Sequence, residues 1–329
     1  MLYEGWIISV PLLLAWVAIP VLELLIKPDP VNMEAAEEEL AKSDRMYDLW
    51  LYLTIPAQYL VLFLFVRSIQ VSGGEWNWTN TGRFFVMGLL CGSFGINVAH
   101  ELGHRTKKYE QSFSKLLLLT SLYMHFFIEH NKGHHKKVST PEDPATARFG
   151  ESVYRFYLRS MVYSWLSAWS IAARDLPKKG LPAFHWKNEM LQFQVIQLLF
   201  VGAIGWFFGW MAALYFMGAA LLGALMLETV NYIEHYGLLR KKTEAGTYER
   251  TLPQHSWNSD HVLGRLVLFE LSRHSDHHYS ASRKYQVLRH HEEAPQMPTG
   301  YPGMMILSLF PPLWFRVMDR RVKIGGEKV

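Results

Sequence analysis

From Leu191 to Leu227 the chain runs for 37 residues without one Asp, Glu, Lys or Arg. A soluble core rarely needs an uncharged stretch of that length. A bilayer does, because its hydrocarbon layer of ~30 Å takes about 20 helical residues per crossing. Thirty-seven residues are too many for a single pass, so the run reads as two helices joined tightly near Gly205 to Gly209. Three further stretches have the same character. Trp6 to Ile26 supplies 21 residues with one charge, Glu23, and with Pro11 and Pro20 positioned to kink it. Leu49 to Val66 is uncharged over 18 residues. Phe84 to Ala99 adds 16, and reaches a full span if Thr81, Gly82 and the His100 region are counted. Five spans define an all-α, polytopic membrane helix bundle, expected as one integral-membrane domain over residues 1–329. The mean hydropathy of +0.02 conceals this, because polar segments such as Glu34 to Asp48 average against the spans.

Three weaker apolar stretches stand outside the spans. Leu116 to Ile128 and Met304 to Phe315 are too short to cross, and burial against the bundle accounts for them. Met161 to Ala173, preceded by Arg155 and Arg159, reads as an amphipathic helix in the membrane interface with its arginines snorkelling outward, with burial against the bundle as the alternative here too. Basic residues set orientation. Arg105, Lys107 and Lys108, then Lys132, Lys136 and Lys137, then Arg240, Lys241 and Lys242 closely follow apolar segments, which puts the ends of the third and fifth spans in the cytoplasm. The start of the chain then lies outside, and a missing upstream helix, six spans in all, is the expectation that accommodates it.

Composition excludes several classes. A single cysteine, Cys91, rules out a thiolate iron–sulfur centre or a cysteine-rich zinc site. The net charge, 33 − 29 = +4, is too small to suggest nucleic acid. No glycine fingerprint of a flavin or nicotinamide site follows a strand.

The unusual number is fifteen histidines, nine of which fall in four boxes. These are His100-Glu101-Leu102-Gly103-His104, then Glu129-His130 running to His134-His135, then Asn231 to Gly237 around Glu234-His235, and last His274-Ser275-Asp276-His277-His278. Spacings of three and four put imidazoles on one helical face, one turn apart, as chelation requires, and an adjacent histidine can reach a second metal. Nine neutral imidazoles suit two metal ions, though imidazole alone fits zinc, copper, iron or nickel. Each box also carries a carboxylate beside a histidine: Glu101, Glu129, Glu234 and Asp276. Such groups orient a ligating ring by accepting its other N–H, and together they balance two divalent ions; direct ligation is a further role for Glu129 or Glu234. His125, His185, His255, His261, His290 and His291 lack the spacing and read as surface or supporting residues, with His125 the closest to a box.

The pattern HxxxH, HxxxHH, HxxHH marks the fatty-acid desaturase and hydroxylase superfamily. HELGHR at His100, EHNKGHH at Glu129, NYIEHYG at Asn231, RHSDHH at Arg273 and the stretch Thr140 to Arg148 resemble the narrower group of membrane alkane 1-monooxygenases. The resemblance runs from Trp6 to about Arg320. Arg105 stands where that group usually has lysine, and Ser272 where it has glutamine. It implies a non-haem di-iron site, two Fe ions, that uses O2 and two electrons to hydroxylate the terminal carbon of a medium-chain n-alkane in the membrane lipid. It implies electrons from rubredoxin, itself reduced by rubredoxin reductase; with Cys91 alone, that carrier is expected on another chain or a removed domain. It implies an inner-membrane protein whose metal site faces the cytoplasm. The nine metal histidines under this reading are His100, His104, His130, His134, His135, His235, His274, His277 and His278. Two rivals are carried alongside: a desaturase or hydroxylase of another lipid or of an aromatic hydrocarbon, and a metal transporter. The transporter would place its site near the bilayer midplane in broken helices, whereas these boxes follow the ends of apolar segments.

Overall fold

In the computed structural model, which describes residues 1, 3–324 and 327–328, the regular elements are helices apart from a two-residue antiparallel pairing of Lys323–Ile324 with Glu327–Lys328. Five helices are long and apolar enough to cross a membrane: α1 (Gly5–Leu25), α2 (Arg45–Val71), α3 (Trp78–Gly103), α4 (Glu189–Phe208) and α5 (Trp210–His235). The 37-residue run breaks once, at Gly209, whose φ of +89° is open to a residue without a Cβ. In α1 the two prolines flank a π turn, Leu14–Ala18, the wider turn that local adjustment around a missing donor produces.

Contacts divide the chain into two compact units. The first comprises Met1–Leu14, Asp48–Lys132 and Trp165–Leu227. Its core gathers Leu62, Phe65, Val66 and Ile69 of α2, Met87 and Cys91 of α3, and Tyr215, Phe216, Ala219 and Ala220 of α5. Small residues let α3 and α5 approach closely: a Cβ at Gly223 would fall 2.5 Å from the Cys91 Cβ, and one at Gly88 would fall 2.4 Å from Leu222. Association between apolar helices in lipid relies on such contacts, since burial from water offers nothing there.

The stretch Leu116 to Ile128 is not one helix. Lys108–Leu119 ends in a turn with Leu122 at φ +49°, and a helix restarts at Phe126–Glu129. Side chains from the spans satisfy this turn. The Ser121 hydroxyl donates to the Cys91 carbonyl at 3.0 Å, and Gln197 accepts from the Met124 amide at 3.1 Å. Irregular backbone among apolar spans persists only where protein supplies such partners. Gly95, in the π turn Cys91–Ile96 of α3, makes room for it, because a Cβ there would lie 2.5 Å from the Ser121 Oγ.

The second unit comprises Ala15–Tyr47, Gly133–Ser164 and Glu228–Val329. Aromatic rings fill it: Tyr232 packs on Phe156 and Trp314, and the Trp257 indole donates to the Tyr236 carbonyl at 3.0 Å. Met304 to Phe315 falls in two short helices, Tyr301–Ser308 and Pro311–Met318, with Trp314 buried. The expected interfacial helix is longer than its apolar stretch, Val153–Asp175, and one of its arginines departs from expectation. Arg155 is exposed, but Arg159 turns inward to Glu151, at 2.8 and 2.7 Å, and donates to the carbonyls of Pro144 and Thr146. A buried carboxylate and two carbonyls give a guanidinium fork a fuller set of partners than snorkelling does.

Candidate metal centre

In the first unit the π turn Cys91–Ile96 leads directly into Asn97–Gly103, so His100 and His104 stand one turn apart at the end of α3. His130 joins them. The ring centroids of His100, His104 and His130 are 4.4 to 5.0 Å apart, and the Nε2 atoms of His104 and His130 face each other at 3.0 Å. Phe126 stacks on His130 at 4.6 Å. Glu101 in this box is committed to Arg105 at 2.7 Å, and Arg105 also pairs with Asp48 at 3.3 Å. Glu129 is buried one residue before His130.

The second unit holds a buried tetrad. His134, His235, His274 and His278 each offer a ligand atom within 4.8 Å of the others. The Nε2 atoms of His134 and His278 are 3.2 Å apart, and those of His235 and His274 are 3.3 Å apart. His135 and His277 face each other the same way at 3.1 Å. His235, on the third box, thus lies among tetrad members from the second and fourth.

These distances fit a metal ion. Two imidazole nitrogens that converge cannot both donate, and bonds of about 2.0–2.1 Å to a shared first-row ion would set neighbouring nitrogens about 3.0–3.4 Å apart. The protonation state fits as well. Burial, followed by the neighbouring His135, His274, His134 and His235 rings, pushes His278 well below the usual histidine range, which leaves the neutral ring that ligation needs. Asp143 accepts from His134 Nδ1 at 2.9 Å and from the Thr146 hydroxyl at 2.6 Å. Burial works to raise this carboxyl, but the His134 ring and the Thr146 hydroxyl outweigh it and hold Asp143 below its ordinary value. The His134 Nε2 is thereby left as the lone-pair nitrogen that faces the tetrad.

The carboxylates beside the box histidines have different neighbours from those their sequence positions suggest. Glu234 Oε2 lies 3.1 Å from His274 Nε2, the nitrogen that faces His235, so it points into the tetrad and not at the back of a ring. Asp276 Oδ1 faces His291 Nε2 at 2.8 Å, while its Oδ2 takes the Arg289 amide at 2.9 Å and Arg283 at 3.1 Å. Asp143, which backs a histidine ring, sits nine residues from His134 in the Thr140–Arg148 stretch, and adjacency alone could not find it.

One expectation about spacing is corrected. His130 and His134 do not share a face as an α-helical HxxxH pair would: the segment His130–His134 is a π turn, and its i→i+5 register separates them, His130 to the trio and His134 to the tetrad. His274 and His278, in an α-helical turn, do stay together. Of the six other histidines, none belongs to these groups among the described residues. His290 and His291 face Asp260 and Asp276, and His125 is buried against Tyr123.

A helical membrane protein with buried, converging imidazoles is the class defined so far. A family model described as fatty acid desaturase matches residues 76–308. Alkane 1-monooxygenase 1 of Pseudomonas aeruginosa is 44% identical over 312 residues, covering 94% of this chain and 82% of that protein. Alkane 1-monooxygenase of Ectopseudomonas oleovorans is 39% identical over 328 residues, covering 98% and 81%. The xylene/toluene monooxygenase hydroxylase component of Pseudomonas putida is 28% identical over 291 residues, covering 85% and 77%. The chain therefore belongs to the fatty acid desaturase family and, within it, to the alkane 1-monooxygenases. It is an integral membrane oxidoreductase of the monooxygenase type.

Proposed function

We propose that this protein hydroxylates the terminal carbon of medium-chain n-alkanes, taking O2, two electrons and two protons and releasing a 1-alkanol and water. The observation that carries this is the tetrad of buried, converging histidines with Asp143 behind His134, in a chain 44% identical to an alkane 1-monooxygenase. The nine box histidines would hold two non-haem iron ions, one of them through the tetrad. Bound iron would supply the activation of O2. The chain's own residues do the rest. Asp143 keeps the His134 tautomer fixed, and Glu234 brings a carboxylate to the ligand side of His274. Apolar spans offer a hydrocarbon its own solvent, and each buried methylene adds about 0.8 kcal/mol, which binds a medium chain with no polar handle.

The electron donor in this reading is rubredoxin, served by rubredoxin reductase and docking from the cytoplasm at an inner membrane. The basic loops support it, because an acidic carrier is steered by exposed cations. Lys107, Lys108, Lys136, Lys241 and Lys242 are exposed, whereas Arg105 is buried on Glu101 and Asp48 and is left out of the docking set. The test is conversion of octane by the purified protein with reduced rubredoxin and O2. The expected result is 1-octanol at one O2 per product, with two irons per chain. Oxidation of xylene but not octane, desaturated lipid as product, or metal bound without O2 consumption would each replace this reading with a rival.

A further inference from the structure

The acidic helix Ala35–Ser43 belongs to none of the boxes, yet one of its carboxylates is buried. Glu37 accepts from the Glu34 amide at 3.2 Å, a capping contact that starts the helix in place. Glu38, one residue on, is 4% exposed. It accepts from Arg289 through both Nε, at 2.9 Å, and Nη2, and from Arg283 Nη1 at 3.4 Å, with Lys42 at 2.9 Å on its outer side. The same two arginines hold Asp276: Arg283 through Nε at 3.1 Å, Arg289 through its backbone amide at 2.9 Å. Asp276 is fully buried between His274 and His277 on the helix His274–Tyr279. Gln286, in the 3-10 turn Tyr285–Val287 between the two arginines, donates to the Ala41 carbonyl at 3.1 Å and ties the acidic helix a second time.

We infer that Glu38 is a positioning residue for the metal centre: through Arg283 and Arg289 it clamps Asp276, and with it the helix that carries His274, His277 and His278. The inference rests on the reading of those histidines as ligands. The physical reason is geometric. A six-residue helix has little stability of its own, so its axial position is set by what grips it. The Arg283 guanidinium bridges the two carboxylates, and Arg289 joins them by holding Glu38 with its guanidinium and Asp276 with its backbone amide, so removing Glu38 opens the grip on that side. Glu39, next in sequence, is exposed and pairs with Lys42 at 2.7 Å, so it serves as the internal control.

The experiment uses the full chain in detergent, loaded with cobalt(II), whose visible absorption reports ligand geometry. Glu38→Gln and Arg289→Gln should each release metal to a chelator about tenfold faster than the unmodified protein, the usual scale for residues that orient ligands at one remove. Each should also shift the cobalt bands, and the double variant should be no worse than the weaker single, because both act through one clamp. Glu39→Gln should match the unmodified protein. Unchanged release and spectra in both single variants, or additive losses in the double, would overturn the clamp. If Glu38→Gln does not fold, Glu38→Asp keeps the charge on a shorter arm, and unaltered metal release in that variant overturns the proposal equally. An unmodified protein that binds no cobalt would defeat the metal reading itself, a result distinct from variants that hold cobalt normally.

Discussion

The histidine trio of the first unit and the tetrad of the second are equally close-packed, with ring centroids 4.4 to 5.0 Å apart in one and 4.5 to 5.1 Å in the other. They are built in different ways. Two of the trio sit one turn apart on a membrane-spanning helix, whose backbone geometry brings them together whatever else the chain does. The tetrad collects residues as far apart as His134 and His278, 144 positions along the chain, and depends on contacts that helix formation cannot supply. The carboxylates differ in the same sense. Glu101 beside the trio is neutralised by Arg105, whereas Asp143 and Glu234 face tetrad rings directly.

The hardest test of this contrast is His235→Ala. Removing the tetrad member contributed by α5 should lower octane hydroxylation more than a hundredfold and weaken retention of metal, while the protein still elutes as a folded species in detergent. Activity near that of the unmodified protein with full metal content would show that the tetrad is not a metal centre.

Asp143→Asn should have a smaller effect. It removes the charge behind His134 while keeping the shape, so metal affinity should fall about 10- to 100-fold as measured by competition with a chelator. Glu101→Gln is its counterpart in the trio. Because Glu101 answers Arg105, that change should lower the thermal midpoint and leave metal affinity within about twofold. Equal losses of metal in both variants would erase the distinction between the two clusters.

The smallest effect concerns a histidine outside both. Burial pushes His125 down to about 4, so the folded protein binds fewer protons than the unfolded chain between pH 6.5 and 4. The stability that His125 contributes is therefore complete above pH 6.5 and is lost as pH falls through 4, amounting to about 3 kcal/mol at the low end. His125→Gln should flatten that part of the stability curve, measured by denaturation of the metal-loaded protein at several pH values. An unchanged slope would mean that other groups carry the acid sensitivity.

The amino-acid sequence by itself determined the spans and the boxes. An uncharged run of 37 residues forces helices on a chain in lipid, and a glycine inside it is the natural place to turn, as Gly209 does. The pairings His100 with His104 and His274 with His278 follow from the α-helical repeat in the same way. What the sequence did not determine is which boxes meet. The HxxxH of the second box reads like the first, yet a π turn sends His130 and His134 to different clusters. The roles of Asp143, Arg159 and Glu38 were equally hidden, because a charged side chain in a sequence is compatible with solvent, with a distant partner, or with a neighbour. Only tertiary structure decides among these. Helix formation is governed by bonds four residues apart, whereas the partner of a buried charge is whatever opposite group the rest of the fold brings within about 3 Å, at any distance along the chain.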